Sequence, residues 1–258
     1  MVFATGISAA HYLAAGIPKR WSEATGGAEA GEWRAAMRKV ITGMFVSLDG
    51  VMQAPGGPKE DPTRGFKLGG WVVPYMDEVF GQAIDEMFGQ PFDLLLGRKT
   101  YEIFAAHWPY AEGGEDDFIA RRFNSITKYV ATRSAMELTW KGSVALHDAA
   151  ADVARLKRED GPPLVTQGSS NLIQTLLAND LIDEITMFTF PIVLGQGKKL
   201  FGEGAKPAAF ELADNKVTTK GVTIARYERA GAVATGDFAM DPPTPAEVAR
   251  RDRMSREG

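Results

Sequence analysis

The sequence contains no cysteine. That excludes a disulfide framework, a cysteine-ligated zinc site and a catalytic thiol. Histidine is almost as scarce. His11, His107 and His147 are the whole set, and no two have the helical spacing that grips a metal. Basic charge is not in excess: 29 Lys and Arg face 33 Asp and Glu, a formal net charge of −4. There is thus no cationic footprint for nucleic acid, and no block of like charges marks an interaction tail. No apolar run reaches the ~18 residues a membrane helix needs. Familiar nucleotide and hydrolase fingerprints are missing too. Gly197-Lys198 lacks both the upstream glycine and the following hydroxyl residue of a P-loop. Gly168-Ser169-Ser170-Asn171-Leu172 fails as a nucleophile elbow at its last position. Gly195-Gln196-Gly197 and Gly202-Glu203-Gly204 lack the third glycine of a dinucleotide fingerprint and read as turns.

What is present is ordinary for a globular protein: 45% apolar and 24% charged residues over 258 positions, enough to bury a core without staples. Residues 1–36 differ from the rest. The first 18 are rich in Ala and Gly and carry neither acid nor base, and Gly6, His11 and Gly16 interrupt any apolar segment. This reads as a flexible extension rather than a secretory signal, with Met37 as a second possible start. At the other end, residues 231–258 carry Pro242, Pro243 and Pro245 before a charged stretch. They read as a tail, disordered or with a short helix after Pro245. Residues 37–230 between them form one domain.

Within that domain, strands and helices alternate. Residues 39–48 read as a strand by β-branched and aromatic content. Residues 74–88 read as a helix, with Met76, Val79, Phe80, Ala83, Ile84, Met87 and Phe88 at helical spacing. A strand at 92–96 precedes a helical stripe of Tyr101, Phe104, Ala105 and Trp108. Strands at 128–131 and 144–146 precede a helix over 149–158. A strand at 164–166 leads into a helix whose inner face is Leu172, Ile173, Leu176 and Leu177. A strand at 184–190 and an antiparallel pair at 210–217 and 222–228 close the domain. Helices between short apolar strands imply crossovers and a mostly parallel sheet, made mixed by the terminal hairpin. In such sheets ligands bind beyond the carboxyl ends of the strands.

Three strand-to-helix junctions carry anion-binding chemistry. At Gly97-Arg98-Lys99-Thr100 a glycine leaves the strand and two cations follow, which suits either a phosphate at free helix N–H groups or a capped helix with solvated cations. Gln167-Gly168-Ser169-Ser170-Asn171 is a small polar turn that admits a close backbone approach. The alternative is an ordinary cap by Ser169 or Ser170, but several small polar residues at a buried strand's end exceed what a cap needs. Thr132-Arg133 follows a strand, where the arginine can fork onto a phosphate or simply sit in a surface turn. Asp49-Gly50 ends the first strand, as a turn or as a carboxylate at the mouth of a crevice. The Gly- and Pro-rich stretch 53–70 has the length of a lid, and Trp71 after it suits stacking or core equally.

At these residues the chain resembles the dihydrofolate reductase superfold, and within it the C-terminal reductase domain of bifunctional riboflavin-biosynthesis deaminase–reductases. The segments that carry the likeness are FVSLDGVMQAP (45–55), LLLGRKTYEIF (94–104), KYVATRS (128–134), LVTQGSSNLIQTLLANDLIDEITMFTFPIVLGQGKKLF (164–201) and VTIARYE (222–228). The resemblance implies a three-layer α/β/α fold and NADPH as cofactor. Gly97, Arg98, Lys99 and Thr100 would hold a phosphate, Thr132 and Arg133 would lie by the adenosine 2′-phosphate, and Gly168, Ser169, Ser170 and Asn171 would hold the pyrophosphate. Gly50 would lie near the nicotinamide. Ser169 stands where the family often has glycine. Asp49, with Asp77 beside it, is the expected catalytic or proton-organising carboxylate, and Trp71 and Phe190 the expected apolar wall for substrate. Without cysteine the chain has no zinc deaminase signature, so the expectation is a stand-alone reductase.

The reading that follows is an NADPH-dependent reductase that transfers hydride directly to a small heterocycle, a ribosylaminopyrimidine or a pterin, without metal or covalent nucleophile. The rival is a nucleotide-binding module without turnover. A cytoplasmic homodimer is expected, partly because the strand at 184–190 is unusually apolar for an edge.

Overall fold

The computed structural model describes residues 38–114, 117–202 and 205–257; the extension expected over residues 1–36, and Met37, lie outside them. Eight strands form one sheet: β1 (Val40–Ser47), β2 (Asp93–Gly97), β3 (Lys128–Ala131), β4 (Ser143–Leu146), β5 (Leu164–Thr166), β6 (Glu184–Phe190), β7 (Ala209–Val217) and β8 (Thr223–Gly231). Their order is β4-β3-β2-β5-β1-β6-β8-β7. The first six in that order pair parallel, and β8 and β7 join antiparallel. The mixed, mostly parallel sheet with a C-terminal hairpin is thus as the alternation of elements predicts.

Side-chain alternation along each strand sorts the apolar residues into two cores. Leu94 and Leu96 face one side and Leu95 the other. On the first side, α1 (Glu78–Gly89), α2 (Arg98–Ala105) and α3 (Asp117–Ser125) contribute Phe80, Phe88, Phe104 and Phe123. On the second, α4 (Ala149–Leu156) and α5 (Ser170–Ala178) contribute Val153, Leu156, Leu172, Ile173 and Leu176. Helices therefore cover both faces. A last helix, α6 (Pro245–Met254), is capped by Thr244 and buries no residue.

Several boundaries move for identifiable reasons. The helix expected from Pro74 begins at Glu78, because Asp77 is extended and its carboxylate accepts from Phe80 N at 2.9 Å. Pro74 sits in a separate 3-10 turn, Val73–Tyr75. Trp108 likewise lies in its own 3-10 turn after α2 has ended. Helix α3 was not expected; its stripe of Ile119, Ala120 and Phe123 is too short to stand out as a period. The apolar strand β6 is not an edge. It lies between β1 and β8, so its hydrophobic residues are buried within this chain, and that ground for a homodimer falls away.

The amino ends of the strands are tied by charge. Arg38 donates to Asp93 at 2.6 Å. Lys157 pairs with Asp183, whose carboxylate also accepts from Val40 N at 2.7 Å. At the other end β5 stops at Thr166 while β1 runs on to Ser47 and β2 to Gly97. A notch opens there in the middle of the sheet.

Candidate functional site

A cleft of about 1330 Å³ occupies that notch and the loops above it. Gly43, Met44 and Phe45 of β1 line it, together with all three of the anion-ready junctions: Gly97, Arg98, Lys99 and Thr100; Thr132 and Arg133; Gly168, Ser169, Ser170 and Asn171.

The first and second junctions are packed directly on each other. Gly97 N donates to Gly168 O at 3.1 Å. A Cβ on Gly97 would lie 2.2 Å from Ser169 Oγ and 2.9 Å from Ser169 N. Gly168 has φ +145°, and a Cβ there would come within 2.7 Å of Thr100 Oγ1. Both positions therefore demand glycine. Ser169, small but not glycine, is accommodated because Gly97 has no side chain.

The helices that start at these junctions differ from their neighbours. Side chains cap α1, α4 and α6, through Asp77, Asp148 and Thr244. No side chain caps α2 or α5, whose N-cap residues are Gly97 and Ser169. The serine cap considered for the second junction is thus not made. First-turn N–H groups without a capping acceptor, at the positive end of a helix dipole, suit an anion. Arg98, paired to Glu102 at 3.2 Å, and the exposed Lys99 add positive charge beside them. At the third junction Thr132 is buried, its Oγ1 accepting from Ser134 N at 3.2 Å, while Arg133 projects to the surface. His147 Nδ1 lies 3.2 Å from Thr132 O, on the same rim.

Five other expected residues are not among those lining the cleft. Asp49 is a clamp between loops: its carboxylate accepts from Ser47 Oγ at 2.7 Å, Leu194 N at 3.0 Å and Gly195 N at 2.9 Å. Those donors, Ser47 foremost, hold its pKa down at about 2. Gly50 supplies the turn, with φ +80°, and its carbonyl accepts from Leu200 N at 2.9 Å. Asp77 is a helix cap that also accepts from Thr219 Oγ1 at 2.7 Å and Lys220 N at 3.2 Å. Burial pushes its pKa up, but these donors outweigh it and the net shift is downward. Trp71 and Phe190 are buried against each other, ring centroids 5.2 Å apart, and Trp71 Nε1 donates to Gln53 O at 2.8 Å. Sequence places Asp49 and Gly50 at the mouth of a crevice, Asp77 at the edge of a helix's apolar face, and Trp71 and Phe190 on an apolar wall. Each instead has a structural partner set of its own.

The Asp49 clamp has a pH signature. Its folded-state pKa lies below the unfolded value of about 3.9, so its stabilising contribution is complete above that value and is lost as pH falls towards 2. The protection of the Leu194 and Gly195 amides, taken against the intrinsic exchange rate at each pH, should therefore fall across that interval in the wild type. In Asp49→Ala it should already be low at neutral pH.

Sequence reasoning marked residues 53–70 as a lid but missed the side chains that organise it. Gln53 is the hub and is only 3% exposed. Its Nε2 donates to Asp61 O at 2.9 Å and Thr63 O at 3.0 Å, and its Oε1 accepts from Lys198 N at 3.0 Å. Lys198 also pairs with Asp61. One glutamine and one ion pair thus join the two loops that wall the cleft. Glu60, Asp61, Thr63 and Arg64 all line it. A glutamine among glycines and prolines gives no sequence signal of burial.

The model of the RibD C-terminal domain matches residues 38–225. The chain belongs to that family. Two uncharacterised proteins of Bacillus subtilis (strain 168) are similar to it along their length. YyaP is 24% identical over 195 residues, 74% of this chain and 94% of its own. YwjB is 28% identical over 200 residues, 75% of this chain and 99% of its own. Among solved structures, a deaminase/5-amino-6-(5-phosphoribosylamino)uracil reductase from Thermotoga maritima shares the fold, with a TM-score of 0.50 at 14% identity. The match covers 75% of this chain and 57% of that one. The RibD C-terminal domain described here is an α/β fold built on one mixed, mostly parallel sheet. Among the described residues no cluster of His, Asp and Glu has the form of a metal site, and no helix is long and apolar enough to cross a membrane.

Proposed function

We propose that this RibD C-terminal domain is an NADPH-dependent reductase acting on a small heterocycle, of which a ribosylaminopyrimidine or a pterin is the type. The observation that supports it most is the pair of uncapped helix starts at Gly97 and Ser169, packed against each other across two glycines and facing one cleft. The group fits what is there. Amides of residues 98–100 and 169–171 would hold the phosphates between the two ribose units, and Thr132 and Arg133 would hold the adenosine 2′-phosphate. When bound, the dihydronicotinamide supplies hydride, which is the cofactor's own chemistry. The chain binds and orients it, and the lid held by Gln53 and Asp61–Lys198 excludes water.

Titration with NADPH and NADH tests this. Removing a charge-assisted contact costs about 1.5–3 kcal/mol. Arg133→Ala should therefore weaken NADPH roughly 10- to 100-fold and leave NADH nearly unchanged. Equal losses would remove Arg133 from 2′-phosphate recognition. Tight NADPH binding with no oxidation by dihydrofolate or a ribosylaminopyrimidine would favour a binding module over an enzyme.

A further inference from the structure

Three carboxylates line the cleft among the described residues: Glu60, Asp61 and Asp148. Two are already engaged. Asp61 pairs with Lys198 and accepts from Thr63 N at 3.2 Å. Asp148 caps α4, accepting from Ala151 N at 3.1 Å. Glu60 is different. Its Oε2 accepts from Gly56 N at 2.7 Å and Gly57 N at 3.2 Å, whereas its Oε1 takes no hydrogen bond from a described residue. We propose that Glu60 is the general acid of this cleft, presenting a proton on Oε1 to a ring nitrogen or carbonyl oxygen of the substrate. The proposal rests on the reductase reading and names the atom that reading lacks, since neither Asp49 nor Asp77 lines the cleft.

Two physical features agree with that role. Burial raises the Glu60 carboxyl above the ordinary glutamate range, and this outweighs the two amides that favour the anion. A carboxyl that holds its proton further up the pH scale than an ordinary glutamate is shifted in the direction general acid catalysis needs. The same two amides then stabilise the carboxylate once the proton has gone. The step balances. The carbon of a C=N or C=O bond takes hydride from NADPH, which becomes NADP⁺. The Oε1–H bond breaks as an N–H or O–H bond forms on the substrate, and solvent returns the proton to Glu60. The other charged groups on these walls are Asp61 and Arg64 from the same loop, Lys198 and Lys199 from the loop opposite, and Arg98, Lys99, Arg133, His147 and Asp148 along the rim. Lys198 is occupied by Asp61.

Glu60→Gln separates this role from that of a loop staple. The amide oxygen still accepts from Gly56 and Gly57, but no acidic proton remains. An infrared pH titration of the NADPH-loaded protein carrying isotope-labelled glutamate should show a protonated carboxyl surviving above the ordinary glutamate range. That band should be absent from Glu60→Gln. Its absence from the wild type would overturn the proposal. With dihydrofolate or a ribosylaminopyrimidine as substrate, Glu60→Gln should lose about 10²–10⁴-fold in kcat. It should also lose the decline of rate at high pH, with NADPH affinity unchanged. An unchanged rate and pH profile would overturn the proposal while leaving the reductase reading intact. Failure of the wild type to bind NADPH would defeat the reductase reading itself, and this proposal with it.

Discussion

Alanine at Gly97 should abolish the tight seam between the two phosphate-ready junctions and with it most NADPH affinity. The added methyl would lie 2.2 Å from Ser169 Oγ, 2.9 Å from Ser169 N and 3.1 Å from Ser169 Cβ. The hydroxyl can rotate away, but the backbone nitrogen cannot, so the two helix starts must part. Overpacking of this kind costs about 1–3 kcal/mol of stability. Affinity should fall more than tenfold, because the amides of both junctions lose their common aim. Calorimetric unfolding and NADPH titration measure the two effects. Gly81→Ala is the control. It lies inside α1 with nothing within 4 Å of its Cβ position, and should raise stability by up to about 1 kcal/mol with no effect on the cofactor.

The largest loss of stability is expected at Phe188. The residue is buried on β6, with its ring centroid 5.1 Å from that of Phe45 and 5.5 Å from that of Phe80, both edge-on. Phe188→Ala removes a ring that several others lean on and should cost about 3–5 kcal/mol. The denaturant midpoint should drop while the slope stays constant. Phe238, exposed beyond the sheet, provides the contrast; its replacement by alanine should shift stability by no more than about 0.5 kcal/mol.

What could be read from the sequence, and what could not, follows from range. The short continuous apolar run over 92–96 and the helical stripe from Phe80 to Phe88 are local signals, and a strand and a helix form there. The junctions at Gly97 and Gly168 are legible because each sets a glycine between an apolar strand and an amphipathic helix. Their contact with each other was not visible, since it depends on β2 and β5 being neighbours. Asp49 and Asp77 show the opposite limit. Each is a short-range polar signal at a plausible place, but beside a local partner each binds chain more than 140 positions away, Leu194 and Gly195 in one case and Thr219 and Lys220 in the other. Sequence proximity to a strand end could not reveal that these carboxylates were already committed. Gln53 was missed for the same reason, as its partner Lys198 belongs to a distant loop.

The brevity of β5 has an architectural consequence. A sheet is usually least complete at its margins, where strands have one neighbour. Here the shortening is central: three residues of β5 separate β1 from β2, and beyond Thr166 the contact continues on the β2 side through Gly97 N and Gly168 O. The domain thus forgoes cross-strand bonding at the place best shielded by layers on either side. A guest entering from the rim meets a slot whose flanks are anchored by three parallel pairings elsewhere in the sheet, so the slot can remain open without the scaffold collapsing into it.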